Sequence, residues 1–153
     1  MATPRRAGAW LAFGATIAAL ALGLSLRREQ AGAFATITGA QTVEIPIASI
    51  APGEARFFVY HAHDGGETKL IVARDDQGRV QAVLDACERC YPYHRGYSAD
   101  RNGLTCNYCA THYKIGDMAH GMAGCEPVKI PFRTVGQTIL IERAELERQS
   151  KFF

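Results

Sequence analysis

The chain has little net charge and no extended run of charged residues. Its 153 residues include 17 Lys and Arg against 15 Asp and Glu, which gives a formal net charge of +2, and only 21% of the residues are charged. Proteins that bind nucleic acids usually present a clustered basic surface. The sequence therefore predicts no nucleic-acid partner.

Several chemical motifs are also missing. Five cysteines are too few for a disulfide-dense scaffold of this length. Tyr91 follows Cys90 and Ala110 follows Cys109, so no C-x-x-C-H motif is present and covalent haem is not expected. No phosphate loop, catalytic dyad or substrate pocket can be recognised. We therefore do not expect the chain to be an enzyme in its own right.

What the chain does contain is two C-x2-C pairs, Cys87 with Cys90 and Cys106 with Cys109. Two such pairs on facing loops can supply four sulfurs in a tetrahedral arrangement, which suits zinc, a single iron or an iron–sulfur cluster. The spacing is typical of a four-cysteine metal site. It does not identify the metal or the nuclearity of a cluster. A structural zinc site, or two disulfides with a spare thiol, remain alternatives.

A fifth cysteine and three histidines lie in the same block of sequence. Cys125, in a Gly-Cys-Glu-Pro turn, could be a further metal ligand, a redox partner for one of the paired cysteines, or a small buried apolar residue. His94, His112 and His120 could ligate a metal or hydrogen-bond to a ligand, although a histidine without such a role is commoner. Their roles are left open by the sequence.

The N-terminal segment, residues 1–30, is predicted to be a membrane anchor. Ala7 to Leu26 form twenty uncharged, mostly apolar positions flanked by arginines on both sides, and as a helix they would span about 30 Å, the thickness of a bilayer core. A cleaved signal peptide is the alternative, but the apolar run is long for one. The balance of flanking charges slightly favours a cytoplasmic N-terminus.

The remaining chain reads as an all-β domain. We expect a linker at residues 31–40, a metal-binding β domain at residues 41–142 and a short C-terminal helix or tail at residues 143–153. Short β-rich runs separated by turns indicate a small sandwich or barrel with the metal-binding loops at one end. The predicted strands are Thr42–Ile47, Arg56–Tyr60, Lys69–Ala73, Arg79–Leu84, Val128–Phe132 and Gln137–Glu142, with a helix at Arg143–Gln149.

From Asp85 to Pro127 the sequence resembles the FtrD-like membrane iron–sulfur protein family. The resemblance rests on Asp85-Ala86-Cys87, Gly96-Tyr97, the remaining paired cysteines, and the Gly124-Cys125 turn with Pro127. It extends over about residues 40–142. Because members of this family are associated with bacterial ferrous-iron uptake, it implies an iron–sulfur cofactor and an iron permease or redox protein as partner. Ala123, where the family usually has glycine, is a departure that affects the loop and removes no thiol.

The order of hairpin, ligand pair, turn and second ligand pair is also similar to the Rieske domain. In that fold each loop supplies one cysteine and one histidine to a two-iron cluster, whereas Cys90 and Cys109 stand here where histidines are expected. The predicted anchor and its flanking charges, taken with the iron–sulfur domain that the family resemblance implies, lead us to expect a single-span protein of the bacterial inner membrane with a periplasmic iron–sulfur domain. A structural zinc-ribbon-like interaction module and a thiol protein or metallochaperone are the alternative functions.

Overall fold

The computed structural model describes residues 33–118 and 124–153. The chain divides into two units, Met1–Ala31 and Gly32–Phe153, and the described residues all belong to the second. The predicted anchor at residues 1–30 and the side chain of His120 lie outside the described residues. Within the described ranges, no helix combines the length and the apolar character needed to cross a membrane.

The described residues are predominantly β, which confirms the predicted all-β class. One α-helix, α1 (Arg143–Gln149), and short 3-10 turns at Ile47–Ser49, Tyr91–Tyr93 and Ser150–Phe152 accompany the strands. In chain order the strands are β1 (Ala35–Ile37), β2 (Thr42–Pro46), β3 (Glu54–His61), β4 (Glu67–Arg74), β5 (Val80–Cys87), β6 (Tyr97–Asp100), β7 (Gly103–Cys106), β8 (His112–Tyr113), β9 (Pro127–Lys129), β10 (Arg133–Val135) and β11 (Thr138–Glu142).

The strands form three sheets. The largest has the order β1-β3-β4-β5-β9, and the two smaller ones have the orders β10-β11-β2 and β6-β7-β8. All pairings are antiparallel except that of β1 with β3. The five-stranded sheet is covered on both faces: the aliphatic core joins it to β2, β11 and α1, and the cysteine core joins its other face to β6, β7 and β8.

Strand β5 belongs to both cores because its side chains alternate between the two faces of the sheet. Ala82, Leu84 and Ala86 pack into the aliphatic core, whereas Val83 and Cys87 pack into the cysteine core. Both sets are buried. Both faces of β5 are therefore covered, and the strand positions the first cysteine between two layers.

Three local differences from the sequence-based expectation have physical reasons. Ala35–Ile37, inside the expected linker, forms β1 and pairs with β3, where its β-branched residues extend the sheet edge. The expected strand Val128–Phe132 stops at Lys129, because Pro131 has no N–H to donate to a ladder. The block around the second cysteine pair, which reads as loop, forms the short sheet of β6, β7 and β8.

Candidate metal centre

The first cysteine pair lies at the end of β5. Cys87 is the last residue of that strand, and Cys90 immediately precedes the 3-10 turn Tyr91–Tyr93. The N–H of Tyr93 donates to the carbonyl of Cys90 at 3.1 Å and closes the turn. Both cysteines are buried, with 3% and 7% of their surface exposed. The two side chains are thus held inside the protein by a strand end and a tight turn.

The second pair lies at the end of β7. The N–H of Cys106 donates to the carbonyl of Thr111 at 3.0 Å, and the N–H of Ala110 donates back to the carbonyl of Cys106 at 2.9 Å. These two bonds close a loop around Cys109, and Ala110 adopts a left-handed φ of 59° within it. Cys106 is buried and Cys109 is partly exposed. The second pair is therefore the more accessible one.

The fifth cysteine is brought to the first pair by the pairing of β5 with β9. Cys87 stands opposite Pro127 in that ladder. The N–H of Glu88 also donates to the carbonyl of Glu126 at 3.0 Å. Cys125, two residues before Pro127, is buried beside Cys87 as a result. The Cys125 sulfur thus lies beside those of the first pair, as a further metal ligand or a redox partner of that pair would require.

The sulfur atoms form two overlapping groups. Cys87, Cys90 and Cys125 make one group and Cys90, Cys106 and Cys109 make the other, with the sulfurs of each group all within 4.8 Å of one another. Cys90 belongs to both. All five cysteines are free thiols in the structure. Three chain segments thus deliver five sulfurs to one end of the β domain.

The histidines of the cysteine block are not drawn into these groups. Among the described residues, the clusters able to hold a metal ion consist of cysteines alone. His94 is exposed at the end of the first turn, with a left-handed φ of 48°. His112 is exposed, and its Nδ1 lies 3.1 Å from Oγ1 of Thr105. In the structure neither side chain takes the position of a metal ligand.

Burial and hydrogen bonding affect the thiols in opposite ways. Burial raises the pKa of Cys90, Cys106 and Cys125. Burial also opposes ionisation of Cys109, but hydrogen bonds from the hydroxyl and backbone N–H of Thr111 outweigh it and lower its pKa to about 6. Sγ of Cys109 lies 3.2 Å from Oγ1 of Thr111. Buried neutral thiols become good ligands only when a bound cation compensates their charge.

The buried carboxylate of Asp85 hydrogen-bonds to the backbone where β6 begins, after the first turn. Oδ1 of Asp85 accepts the backbone N–H of Tyr97 at 2.7 Å. Burial raises the pKa of Asp85 to about 6, although that hydrogen bond and the charge of Lys69 oppose the rise. Gly96 passes directly over the carboxylate with a φ of 59°, and a Cβ there would come within 2.5 Å of it. This close approach explains the glycine of the Gly-Tyr pair.

Aromatic side chains surround the sulfurs in two layers. Tyr97 and Tyr113 are buried against the cysteines, with their rings edge to face at a centroid distance of 6.1 Å. Tyr93 and Tyr108 lie outside, 55% and 49% exposed, and stack on each other at 3.8 Å between centroids. One stacked ring follows the first cysteine pair and the other lies within the second. The stack therefore joins the two ligand loops across the surface.

A cavity of about 230 Å³ opens beside the sulfurs. Cys87, Cys90 and Cys106 contribute to its wall, and so do Phe152 and Phe153 from the C-terminal turn. The ring of Phe152 packs edge to face on Tyr91 at 4.9 Å. Sequence reasoning missed these two phenylalanines, because the helical composition before them carries no signal for a place in the wall of this cavity.

The donor set of this centre fits an iron–sulfur cluster. Thiolate sulfur is the usual protein ligand of such clusters and also of zinc. Four of the five thiols are buried, and among the residues described no disulfide consumes them. Two fully buried tyrosine hydroxyls beside the sulfurs, those of Tyr97 and Tyr113, have no hydrogen-bond partner in the protein. A bound group that presents acceptor atoms would satisfy both.

Comparison with known proteins identifies the family. The model of the family described as "Membrane iron-sulfur containing protein FtrD-like" matches residues 50–153, which is more than half of the chain. The chain therefore belongs to the FtrD-like family of iron–sulfur-containing membrane proteins. The resemblance noted from the cysteine block is confirmed, and the match reaches beyond it through the C-terminal helix.

The other two comparisons add little. None of the curated proteins is significantly similar to the chain. Among solved structures, a crystal structure described as an NADH-dependent nitrite reductase small subunit from Mycobacterium tuberculosis is similar at 14% identity and a TM-score of 0.40. The alignment covers 69% of this chain and 97% of that one. A TM-score of this size does not establish a shared fold.

Proposed function

We propose that this member of the FtrD-like family is a membrane-anchored iron–sulfur protein that transfers electrons as an accessory of a bacterial iron uptake system. The observation that carries the proposal is the gathering of five free thiols from three chain segments at one end of the β domain. The association of the family with ferrous-iron uptake suggests an iron permease, or a redox protein of the same system, as the partner.

In this proposal Cys87, Cys90, Cys106 and Cys109 hold the cluster, and Cys125 stands beside the first pair as a fifth thiolate. A bound iron–sulfur cluster supplies one-electron redox chemistry. The chain's own residues orient the four thiolates through the two closed loops and exclude water through the buried tyrosines. The two closed loops would orient the thiolates in the same way for zinc and for an iron–sulfur cluster.

The partner would approach the second cysteine pair. Cys109 is the least buried of the five cysteines, and the stacked rings of Tyr93 and Tyr108 lie exposed at the same end. Electron transfer needs a short path between centres, so the least covered ligand marks the favourable side. The membrane tether, proposed for residues 1–30, would keep this surface near a membrane partner and raise its effective concentration there.

Anaerobic purification of the full chain tests the cofactor. We expect brown protein that contains iron and acid-labile sulfide and gives an electron paramagnetic resonance signal in one redox state. Colourless protein with stoichiometric zinc would support the structural zinc-ribbon-like module instead. Cysteines that resist alkylation until a reductant is added would support the thiol or metallochaperone function. Either result would contradict the electron carrier.

The proposed location is the bacterial inner membrane, with a single span and the β domain in the periplasm. Fractionation of cells expressing the full chain should place the protein in the membrane. Protease added to spheroplasts should then degrade the β domain, while a cytoplasmic marker protein stays intact. Protection of the β domain in intact spheroplasts would show that the proposed orientation is wrong.

A further inference from the structure

Two hydroxyl groups in the cysteine core have no partner. The Oη atoms of Tyr97 and Tyr113 are fully buried, and neither makes a hydrogen bond of normal geometry within the described residues. The thiol of Cys87 lies near enough to the hydroxyl of Tyr97 to contribute, after burial, to its raised pKa. A buried polar group without a partner destabilises the folded state, so native structures rarely keep one without a reason. Two such hydroxyls in one small core indicate that something else accepts their hydrogen bonds.

The strands place both rings against the sulfurs. Tyr97 begins β6 directly opposite Cys106 in the ladder with β7. Tyr113 ends β8, next to β7 on its other side and four residues after Cys109. Both tyrosines pack in the same core as the buried cysteines, with 5% and 2% of their surface exposed. They therefore approach the centre from the two outer strands of one sheet, on either side of β7.

The electrostatic surroundings agree with this placement. Burial is the main reason why the pKa of Tyr97 is raised, followed by the charge of Cys87. Burial and then Cys87 and Cys109 raise the pKa of Tyr113. Cys87 thus has the largest electrostatic effect on both hydroxyls after burial. A phenol is ordinarily protonated at neutral pH, so each has a proton to donate.

We infer that Tyr97 and Tyr113 donate hydrogen bonds to the sulfur atoms of the bound cluster or of its thiolate ligands, and so raise its reduction potential. The inference rests on the proposed function. Adding one electron to a cluster makes its sulfurs more negative, so a donor stabilises the reduced form more than the oxidised form. The two tyrosines act as positioning residues that set the potential, and no proton transfer is required.

The test is a redox titration of the full chain and of the variants Tyr97→Phe, Tyr113→Phe and the double variant. Each single change keeps the ring and removes one donor. We expect each to make reduction about tenfold less favourable, which corresponds to about 59 mV for one electron. The double variant should show the larger shift. Wild-type potentials in variants that keep their cluster would overturn the inference.

A matched control is Tyr60→Phe. Tyr60 is also a buried tyrosine, with 3% exposure, but it packs in the aliphatic core and its hydroxyl lies 3.4 Å from Glu147. This variant should leave the potential unchanged. An equal shift in Tyr60→Phe would show that the effect is a general consequence of losing a buried hydroxyl, which would contradict the specific role of the two tyrosines.

A second measurement covers variants that fail to assemble a cluster. Incorporation of 3-fluorotyrosine into the wild-type chain makes every phenol a stronger donor with almost no change of shape, and it should raise the potential. An unchanged or lower potential would overturn the inference. Wild-type protein without iron and sulfide would instead contradict the proposed function, so the two failures are distinguishable by the metal analysis alone.

Discussion

The two cores on either side of the five-stranded sheet differ in what holds them together. The aliphatic core consists of Val, Ile, Leu, Ala, Phe and Tyr side chains from two sheets and α1. The cysteine core contains all five thiols and two tyrosine hydroxyls without partners. The first core is stabilised mainly by the burial of apolar surface. The second leaves two buried hydroxyls without partners in the described protein, and the bound group proposed above would satisfy them.

This contrast separates folding from function in the molecule. Strands β3 and β4 pair over eight residues each, whereas β6, β7 and β8 pair over four residues or fewer. Short ladders contribute little stability of their own. We therefore expect the aliphatic core to determine whether the domain folds, and the metal to determine whether the cysteine end is ordered.

The largest effect is expected from Cys90→Ser, because Cys90 belongs to both sulfur groups. Iron and labile sulfide should fall from stoichiometric amounts to near zero, while the circular dichroism of the β domain persists. Arg89→Ser, an exposed position in the same turn, is the control and should keep its cluster. Full cluster content in the Cys90 variant would show that the cluster does not depend on the sulfur that the two groups share.

A substitution in the aliphatic core should lower the stability of the fold rather than remove the cluster directly. Ile141→Ala removes a fully buried side chain of β11 and should lower the free energy of unfolding by about 2–5 kcal/mol. Val135→Ala, at a position that is 56% exposed, is the control and should have little effect. Denaturant titration measures both. A large loss of cluster without loss of stability in Ile141→Ala would contradict the division between the cores.

Removal of the metal should affect only one region. Anaerobic chelation of the iron is expected to accelerate amide hydrogen exchange in β6, β7 and β8 by about tenfold or more, while β3 and β4 stay protected. Loss of the bound group leaves the neutral thiols and the two hydroxyls without partners, so the short ladders open more often. Uniform acceleration across both regions would show that they unfold as one unit.

The smallest effect concerns a carboxylate at the turn between β4 and β5. Burial opposes ionisation of Asp75, but hydrogen bonds from the side chain and backbone of Arg79 prevail and lower its pKa below the ordinary value of 3.8. Because the folded-state pKa is lower than the unfolded one, the stabilisation is present above pH 3.8 and is lost as the pH falls through the folded-state value.

In Asp75→Asn the free energy of unfolding should therefore be lower at neutral pH and should decline less on acidification than in the wild type. Denaturant titrations at about pH 6 and about pH 3 measure the difference. Gly116, in the segment after β8, lies close to the carboxylate of Asp75. The variant therefore also tests whether this turn stabilises the segment that follows the second cysteine pair. An identical pH dependence in the two proteins would show that Asp75 makes no net contribution.

The long strands and the helix could be predicted from the sequence because their signals are local. Residues 143–149 have helical composition and form α1 over the predicted residues. Alternation and turn residues likewise indicated β3, β4 and β5. Strands β6, β7 and β8 could not be predicted, because strands of only two to four residues carry no periodic signal and depend on packing against the larger sheet.

The site was predictable only in part for a similar reason. The C-x2-C spacing indicated the four paired cysteines as a site, and the structure groups Cys106 and Cys109 with Cys90. The position of Cys125 depends on the β5–β9 ladder, which joins residues about forty positions apart. The hydrogen bond of Thr111 to Cys109 depends on how a loop closes. Such contacts follow from tertiary structure and leave no mark in spacing or composition.

The double role of β5 restricts how the chain can change in evolution. An insertion of one residue before Cys87 within this strand would exchange its two faces, turning the thiol toward the aliphatic layer and leucine toward the metal. An insertion of two would preserve the facing of every later side chain. Relatives should accordingly differ in length in the turns at either end of this strand and not within it. A change within the strand would disturb the packing of the sheet and the position of the first cysteine at the same time.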